Sequence, residues 1–134
     1  SLNSSRIPDT VQLVTAFPEN QITVSADAEQ IRMALKNIIR NAVQAMDGTG
    51  TLKVSARLAK TGEAEIVISD TGPGISPEHL EKIFQPLFTT KAQGIGFGLS
   101  ITQMIVENHG GTVRVSSESE NGTSFFIRLP MNRL

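Results

Sequence analysis

The sequence predicts an α+β domain, with helices against one face of a largely antiparallel sheet. Apolar residues recur every three or four positions over 27–46 and again over 99–108, the period of two half-buried helices. Runs rich in β-formers come in neighbouring pairs, 51–58 with 64–69 and 112–116 with 124–129, as hairpins require. A length of 134 residues suits one domain, large enough to bury a real core.

Each element has a local reason. Residues 1–10 are polar with weak periodicity and read as a lead-in, so the folded domain is expected over 11–134. Residues 11–17 read as a strand ended by Pro18, and a shorter strand is expected at 22–24. Asp27 opens the clearest helix. Asp27 and Gln30 have capping-box spacing, and the Asp27 carboxylate can accept from an early backbone N–H. Ile31, Leu35, Ile38, Ala42 and Met46 then form one apolar stripe, and Asp47-Gly48 stops the helix. Lys60-Thr61-Gly62 joins the first strand pair as a hairpin. Pro77 takes the first position of a short helix. The segment 84–97 has no clean period and is expected to be a long loop. The helix over 99–108 is stopped by Gly110 and Gly111, and Pro130 terminates the last strand.

Composition narrows the function classes. Hydrophobic content of 39% and charged content of 19% are ordinary for a soluble globular chain. With 12 basic and 13 acidic side chains, the net charge of −1 leaves no electrostatic footprint for nucleic acid or an anionic membrane. There is no cysteine, which excludes disulfides and thiolate chemistry and permits a reducing compartment. No stretch approaches the ~18 apolar residues of a membrane span, and no signal-peptide pattern opens the chain. A start at Ser1 rather than Met leads us to expect a piece of a longer protein.

Four segments carry candidate chemistry. Asn37 and Asn41 share one flank of the first long helix, about 80–120° from the centre of its apolar stripe. They are either boundary amides bonded to backbone or water, the commoner case, or a site. In the second reading Asn41 gives a carbonyl oxygen to Mg2+ and Asn37 bonds phosphate or the metal's water shell. Asp70 ends a strand and precedes Thr71-Gly72-Pro73-Gly74. It is either an ordinary Asx turn or a carboxylate accepting from the exocyclic amine of adenine, with the glycines admitting a flat ligand. Gly94, Gly96 and Gly98 alternate into the second long helix. That spacing is neither the dinucleotide fingerprint nor a Walker loop, but it suits a mobile loop whose N–H groups meet phosphate at a helix N-terminus. Gly122-Thr123 begins the last strand. His79 and His109 have no neighbour suggesting a ligand or base and are expected at the surface.

In this order the segments resemble the GHKL (Bergerat-fold) ATP-binding superfamily. Asn37-x-x-x-Asn41-Ala42 is similar to its N box and Asp70-x-Gly72-x-Gly74 to its G1 box. Phe84 to Phe88 is similar to its F box, Gly94-x-Gly96-x-Gly98 to its G2 box and Gly122-Thr123 to its final glycine box. The likeness covers Val11 to Pro130. Residues 35–42, 83–91, 109–111 and 122–130 are most similar to sensor histidine kinases. The resemblance implies a two-layer α/β sandwich with an ATP lid between the F box and the G2 helix, and ATP and Mg2+ as ligands. It implies Asn37 and Asn41 as the catalytic pair, with Asn41 on the metal. The implied nucleotide-binding set adds Asp70, Gly72, Gly74, Ile75, Lys91, Gly94, Gly96, Gly98, Leu99 and Thr123.

It further implies an ATP-dependent protein-histidine kinase whose nucleophile is a histidine on a separate dimerisation domain of the same protein, with a response regulator as indirect partner. A cytoplasmic location is expected for this domain, whose parent protein can be membrane-anchored. Superfamily members that hydrolyse ATP carry a Glu four residues before the metal Asn; here Asn37 stands there, and an amide cannot accept a proton near neutral pH. No helical hairpin precedes Val11 and neither histidine has a phosphoacceptor-type context, so an excised, monomeric catalytic domain is expected. Gln85 and Leu87 stand where the family often has Glu and Phe. Gln44 replaces a Lys that reaches phosphate in some members, leaving that task to Lys91 or Arg40. Three alternatives stay open: a serine-directed kinase of the same superfamily, an ATPase using Glu107 or Asp47 as base, and a non-catalytic nucleotide-binding module.

Overall fold

Asp27 sets the course of the longest helix, and two contacts then set the course of the second. In the computed structural model, which describes residues 11–17, 26–47, 49–75, 77–80, 82–84, 98–117 and 122–130, helix α1 runs Ala28–Ala45. The Asp27 carboxylate accepts from the N–H groups of Glu29 (3.0 Å) and Gln30 (3.2 Å), satisfying two of the donors a helix start leaves open. The Asp27 N–H, which the side chain three residues on would take in a capping box, donates instead to His109 Nε2 at 3.0 Å. His109 Nδ1 lies 2.8 Å from the Ile105 carbonyl, which can only accept, so the proton sits on Nδ1 and Nε2 is the acceptor. His109 is therefore half-buried and partnered, not the surface residue its sequence context suggested.

His109 closes helix α3, Gly98–Asn108. The helix ends in a Schellman motif: Gly110 N–H donates to Glu107 O and Gly111 N–H to Val106 O, with Gly110 left-handed at φ 78°. Midway along it, Thr102 Oγ1 donates to Ala34 O across the helix pair at 3.3 Å. These contacts run α3 antiparallel to α1. They also widen the buried face of α1 beyond the simple stripe: Ala34 and Ile39 are buried along with Ile38, Ala42 and Met46, while Ile31 and Leu35 are half-covered.

The described strands are β1 (Val11–Ala16), β2 (Gly50–Leu58), β3 (Ala64–Asp70), β4 (Thr112–Ser117) and β5 (Thr123–Leu129). They form one sheet in the order β1-β2-β3-β5-β4. The β1–β2 pair is parallel, because α1 carries the chain back between them, and the remaining pairs are antiparallel. A short helix α2, Pro77–Leu80, follows the Asp70 turn. The expected lead-in at 1–10, the strand at 22–24 and the loop from 85 to 97 lie outside the described residues.

Side chains alternate across the sheet. Leu52, Val54, Ile68, Phe125, Ile127 and Leu129 join Ile38, Ile39, Ala42 and Val106 in the core between sheet and helices. Phe84 closes one end of it, edge-on to Phe125 at 6.5 Å. On the opposite face Arg57, Glu65 and Arg128 stand directly across from one another on β2, β3 and β5. Glu65 is 2% exposed and accepts from Arg57 Nε (2.6 Å) and Arg128 Nε (2.8 Å). The Arg128 bond above all, with the bond and charge of Arg57, holds the Glu65 carboxyl below its ordinary value against the opposing effect of burial.

Candidate functional site

The site is organised by the last residue of β3. Asp70 is 7% exposed and pairs across the sheet with Leu52 on one side and Thr123 on the other. Its Oδ1 accepts from the Gly72 N–H at 2.8 Å, which is the Asx turn expected at such a strand end. That bond does not exhaust a carboxylate, which has about four acceptor sites. The structural and the ligand-binding readings of Asp70 are thus compatible.

The glycines around Asp70 have packing reasons. Gly122 has φ +86°, and a Cβ there would lie 2.1 Å from the Asp70 carbonyl oxygen. No residue but glycine fits without parting β3 from β5. A Cβ on Gly72 would meet the Ala45 carbonyl oxygen at 3.1 Å and Asp70 Oδ1 at 3.0 Å. The turn therefore lies against the last residue of α1. Thr71 anchors its other side: Thr71 Oγ1 accepts from the Thr51 N–H at 3.0 Å and donates to Met46 Sδ at 3.6 Å.

Asn37, Asn41 and Ala45 follow one another at four-residue steps, so they lie along one edge of α1. Both asparagines are half-buried. Because Ala45 backs onto Gly72, the edge that carries the asparagines runs directly onto the Asp70 turn. The antiparallel register fixed by Thr102 on Ala34 and His109 on Asp27 extends one turn further, bringing Gly98 and Leu99 level with Ile38 and Asn37. The N-terminus of α3, the positive end of its dipole, so stands beside the asparagine edge.

A further group gave no signal in the sequence. Ser117 ends β4 opposite Thr123, on the core side of the sheet shared by Val113 and Val115. Its Oγ accepts from the Ile75 N–H at 2.7 Å, lies 2.9 Å from Thr123 Oγ1 and donates to the Gly122 carbonyl at 3.2 Å. One hydroxyl joins the end of the Asp70 turn to the start of β5. Gly74, at φ 82°, turns the chain that presents Ile75 to it. Serine at a strand end is too common to mark such a junction in advance.

Asn37 and Asn41 thus lie on the edge of α1 that ends at the Asp70 turn, Gly98 and Leu99 open α3 beside that edge, and Gly72, Gly74, Ile75 and Thr123 gather about Asp70. Lys91, Gly94 and Gly96 lie outside the described residues, as do Gln85, Leu87 and Phe88. Arg40 and Gln44 are exposed on α1. Asp47 is exposed beyond the end of α1, and Glu107 is exposed in the last turn of α3, at the end that meets Asp27. Neither lies on the Asn37/Asn41 edge. Among the described residues no helix is long and apolar enough to cross a membrane.

Residues 26–133 match the family described as histidine kinase-, DNA gyrase B-, and HSP90-like ATPase. Among curated proteins the chain is 40% identical over 121 residues to sensor histidine kinase ZraS of Salmonella typhimurium, covering 90% of this chain and 26% of that protein. It is 34% identical over 116 residues to sporulation kinase A of Bacillus subtilis, covering 87% and 19% respectively. The chain thus spans about a quarter or less of the length of these relatives. Among solved structures, the nucleotide-free catalytic domain of histidine kinase ThkA superposes with a TM-score of 0.80 at 34% identity, covering 90% of this chain and 79% of that one. The mycobacterial sensor histidine kinase MprB superposes at 0.82 and 28% identity, with 93% and 86% coverage.

Proposed function

The chain belongs to the histidine kinase-, DNA gyrase B-, and HSP90-like ATPase family and has the fold of sensor histidine kinase catalytic domains, and from that premise we propose that it binds Mg-ATP and donates the γ-phosphate to a histidine on a separate dimerisation and phosphoacceptor domain of its parent protein. The observation that carries the reading is the junction of Ala45 with Gly72, which joins the asparagine edge of α1 to the Asp70 turn. A ligand lying along that line would meet Asp70 at one end, Asn41 and Asn37 further along, and the α3 N-terminus beside them.

In this reading Asp70 accepts from the exocyclic amine of adenine, which sets the base preference, and Gly72 and Gly74 leave room for the flat ring. Ile75 and Thr123 line the base. Asn37, Gly98 and Leu99 meet the phosphates, joined by Gly94, Gly96 and Lys91. Asn41 offers a neutral amide oxygen, and among the described residues no three His, Cys, Asp or Glu side chains cluster as a cation cage. Such a donor set fits Mg2+, which keeps most of its water and shares phosphate oxygens. When bound, the ion would neutralise charge on the phosphates.

Asn37 decides the reaction class. Its amide cannot deprotonate water, so the site aligns the phosphates and leaves the nucleophile to come from outside. Phosphoryl transfer asks mainly for alignment and charge neutralisation, which these residues can supply. The chain is accordingly expected to hydrolyse ATP negligibly by itself. The test supplies γ-labelled ATP to the chain together with the dimerisation domain of its parent. Acid-labile, base-stable label on that domain, lost with Asn41→Ala, is expected. Sustained phosphate release by the chain alone, or acid-stable label on a serine, would overturn the histidine-kinase reading.

A further inference from the structure

Ser117 Oγ touches both the end of the Asp70 turn and the start of the strand carrying Thr123, and its bonding has a consequence for proton direction. A hydroxyl has one proton to give and two lone pairs to receive. The carbonyl of buried Gly122 takes the Ser117 proton, and the Ile75 N–H fills one lone pair. All three contacts are satisfied together only when the 2.9 Å contact with Thr123 Oγ1 runs the other way, with Thr123 donating to Ser117. In that arrangement Thr123, 4% exposed, spends its only proton inward. It keeps lone pairs alone to offer a ligand.

Thr123 sits directly across from Asp70 in the β3–β5 register, so the two side chains share one face of the sheet as neighbours. A carboxylate accepts and does not donate. The wall they form therefore consists of acceptors only, suited to a group with two hydrogens to give and hostile to a carbonyl oxygen. Resting on the nucleotide-site reading above, we propose that Ser117 is a positioning residue that sets base specificity. By holding the Thr123 hydroxyl inward, it makes Asp70 and Thr123 a paired receptor for a 6-amino purine and excludes the 6-oxo analogue. Ser117 itself touches no ligand. Its second bond, to the Ile75 N–H, keeps the turn in register with β5 so that the two acceptors stay side by side.

If Ser117 is lost, Thr123 is free to rotate and donate outward, and a 6-oxo purine gains a partner. The test measures dissociation constants for ATP and for inosine 5′-triphosphate, which differ in base only at the 6-position and the adjoining ring proton, with Mg2+ present. Wild type, Ser117→Ala and Ser117→Thr are compared. The preference for ATP is expected to fall about fivefold in Ser117→Ala, the worth of one neutral hydrogen bond, and to return in Ser117→Thr. Thr123→Val keeps the shape of its site and is expected to weaken ATP about as much while leaving the inosine nucleotide unchanged, which serves should Ser117→Ala not fold.

A purely structural Ser117 would weaken both nucleotides together. An unchanged ratio in Ser117→Ala, or a lost ratio that threonine does not restore, would overturn the proposal and leave the nucleotide site standing. Wild type binding neither triphosphate would overturn the nucleotide-site reading, and this inference with it.

Discussion

Gly122 and Gly62 share a left-handed backbone, at φ +86° and +87°, and differ only in what surrounds them. At Gly62 an added Cβ meets nothing within 4 Å, whereas at Gly122 it would stand 2.1 Å from the Asp70 carbonyl oxygen. Gly62→Ala therefore carries the left-handed penalty alone, about 1–2 kcal/mol. Gly122→Ala carries the same penalty and must also part β5 from the end of β3, since ordinary contact begins near 3.4 Å. Overpacking of that kind costs about 1–3 kcal/mol more, for a total of about 2–5 kcal/mol. Urea unfolding followed by far-ultraviolet circular dichroism compares the two directly, the chain having no Trp or Tyr to report by fluorescence. Nucleotide affinity separates them further: Gly62→Ala should bind ATP as wild type does, and Gly122→Ala at least tenfold more weakly, because the displaced backbone is that of Asp70. Equal losses of stability, or equal affinities, would refute the close approach of Gly122 to Asp70 as the reason for that glycine.

Other outcomes follow from named contacts. Glu65→Gln should lower stability near neutral pH by about 1–2 kcal/mol, discounted because the Arg57 side chain is 66% exposed. The folded carboxyl titrates below its ordinary 4.5, so its contribution is fully present above that pH and is lost as pH falls through the lower folded value. The gap between wild type and variant should close in that range, and a constant gap down to strong acid would deny the charge its part. His109→Ala removes the acceptor of the Asp27 N–H, and denaturation should register a loss of about 1–2 kcal/mol; no loss would make that contact incidental. Asn37→Ala should depress label transfer while leaving unfolding in the absence of nucleotide within about 1 kcal/mol of wild type, a half-buried helical amide being replaceable by alanine. Full transfer in that variant would remove Asn37 from the reaction.

The parts of the molecule legible in the sequence are those whose causes are local. The Asp27 cap, the period of α1, the Gly110-Gly111 stop and the Gly62 hairpin each act within a few residues, and each stands as expected. The parallel β1–β2 pair also suits the strand-helix-strand order, although residues 22–24 lie outside the described set. The role of His109 is not legible locally because its partner is 82 residues away, and no window of sequence joins them. Ala34 is not part of the expected stripe and is buried because α3 crosses there. The glycine motifs point to the turn around Asp70, but not to the reason for each glycine. Gly122 is required by the pairing of Asp70 with Thr123, and Gly72 by the arrival of Ala45, both products of tertiary register. Ser117 was invisible for the same reason, since its three partners come from two other segments.

The most direct test of the central claim is thermal unfolding with ATP, GTP and a non-hydrolysable ATP analogue, with and without Mg2+, for wild type and Asp70→Asn. Calorimetry or a dye reports the transition. Ligand at about 100 times its dissociation constant should add roughly 2.7 kcal/mol of stability. An adenine-selective shift, strengthened by Mg2+ and abolished in Asp70→Asn, is the predicted result. No shift with any nucleotide, or an equal shift in Asp70→Asn, would contradict it.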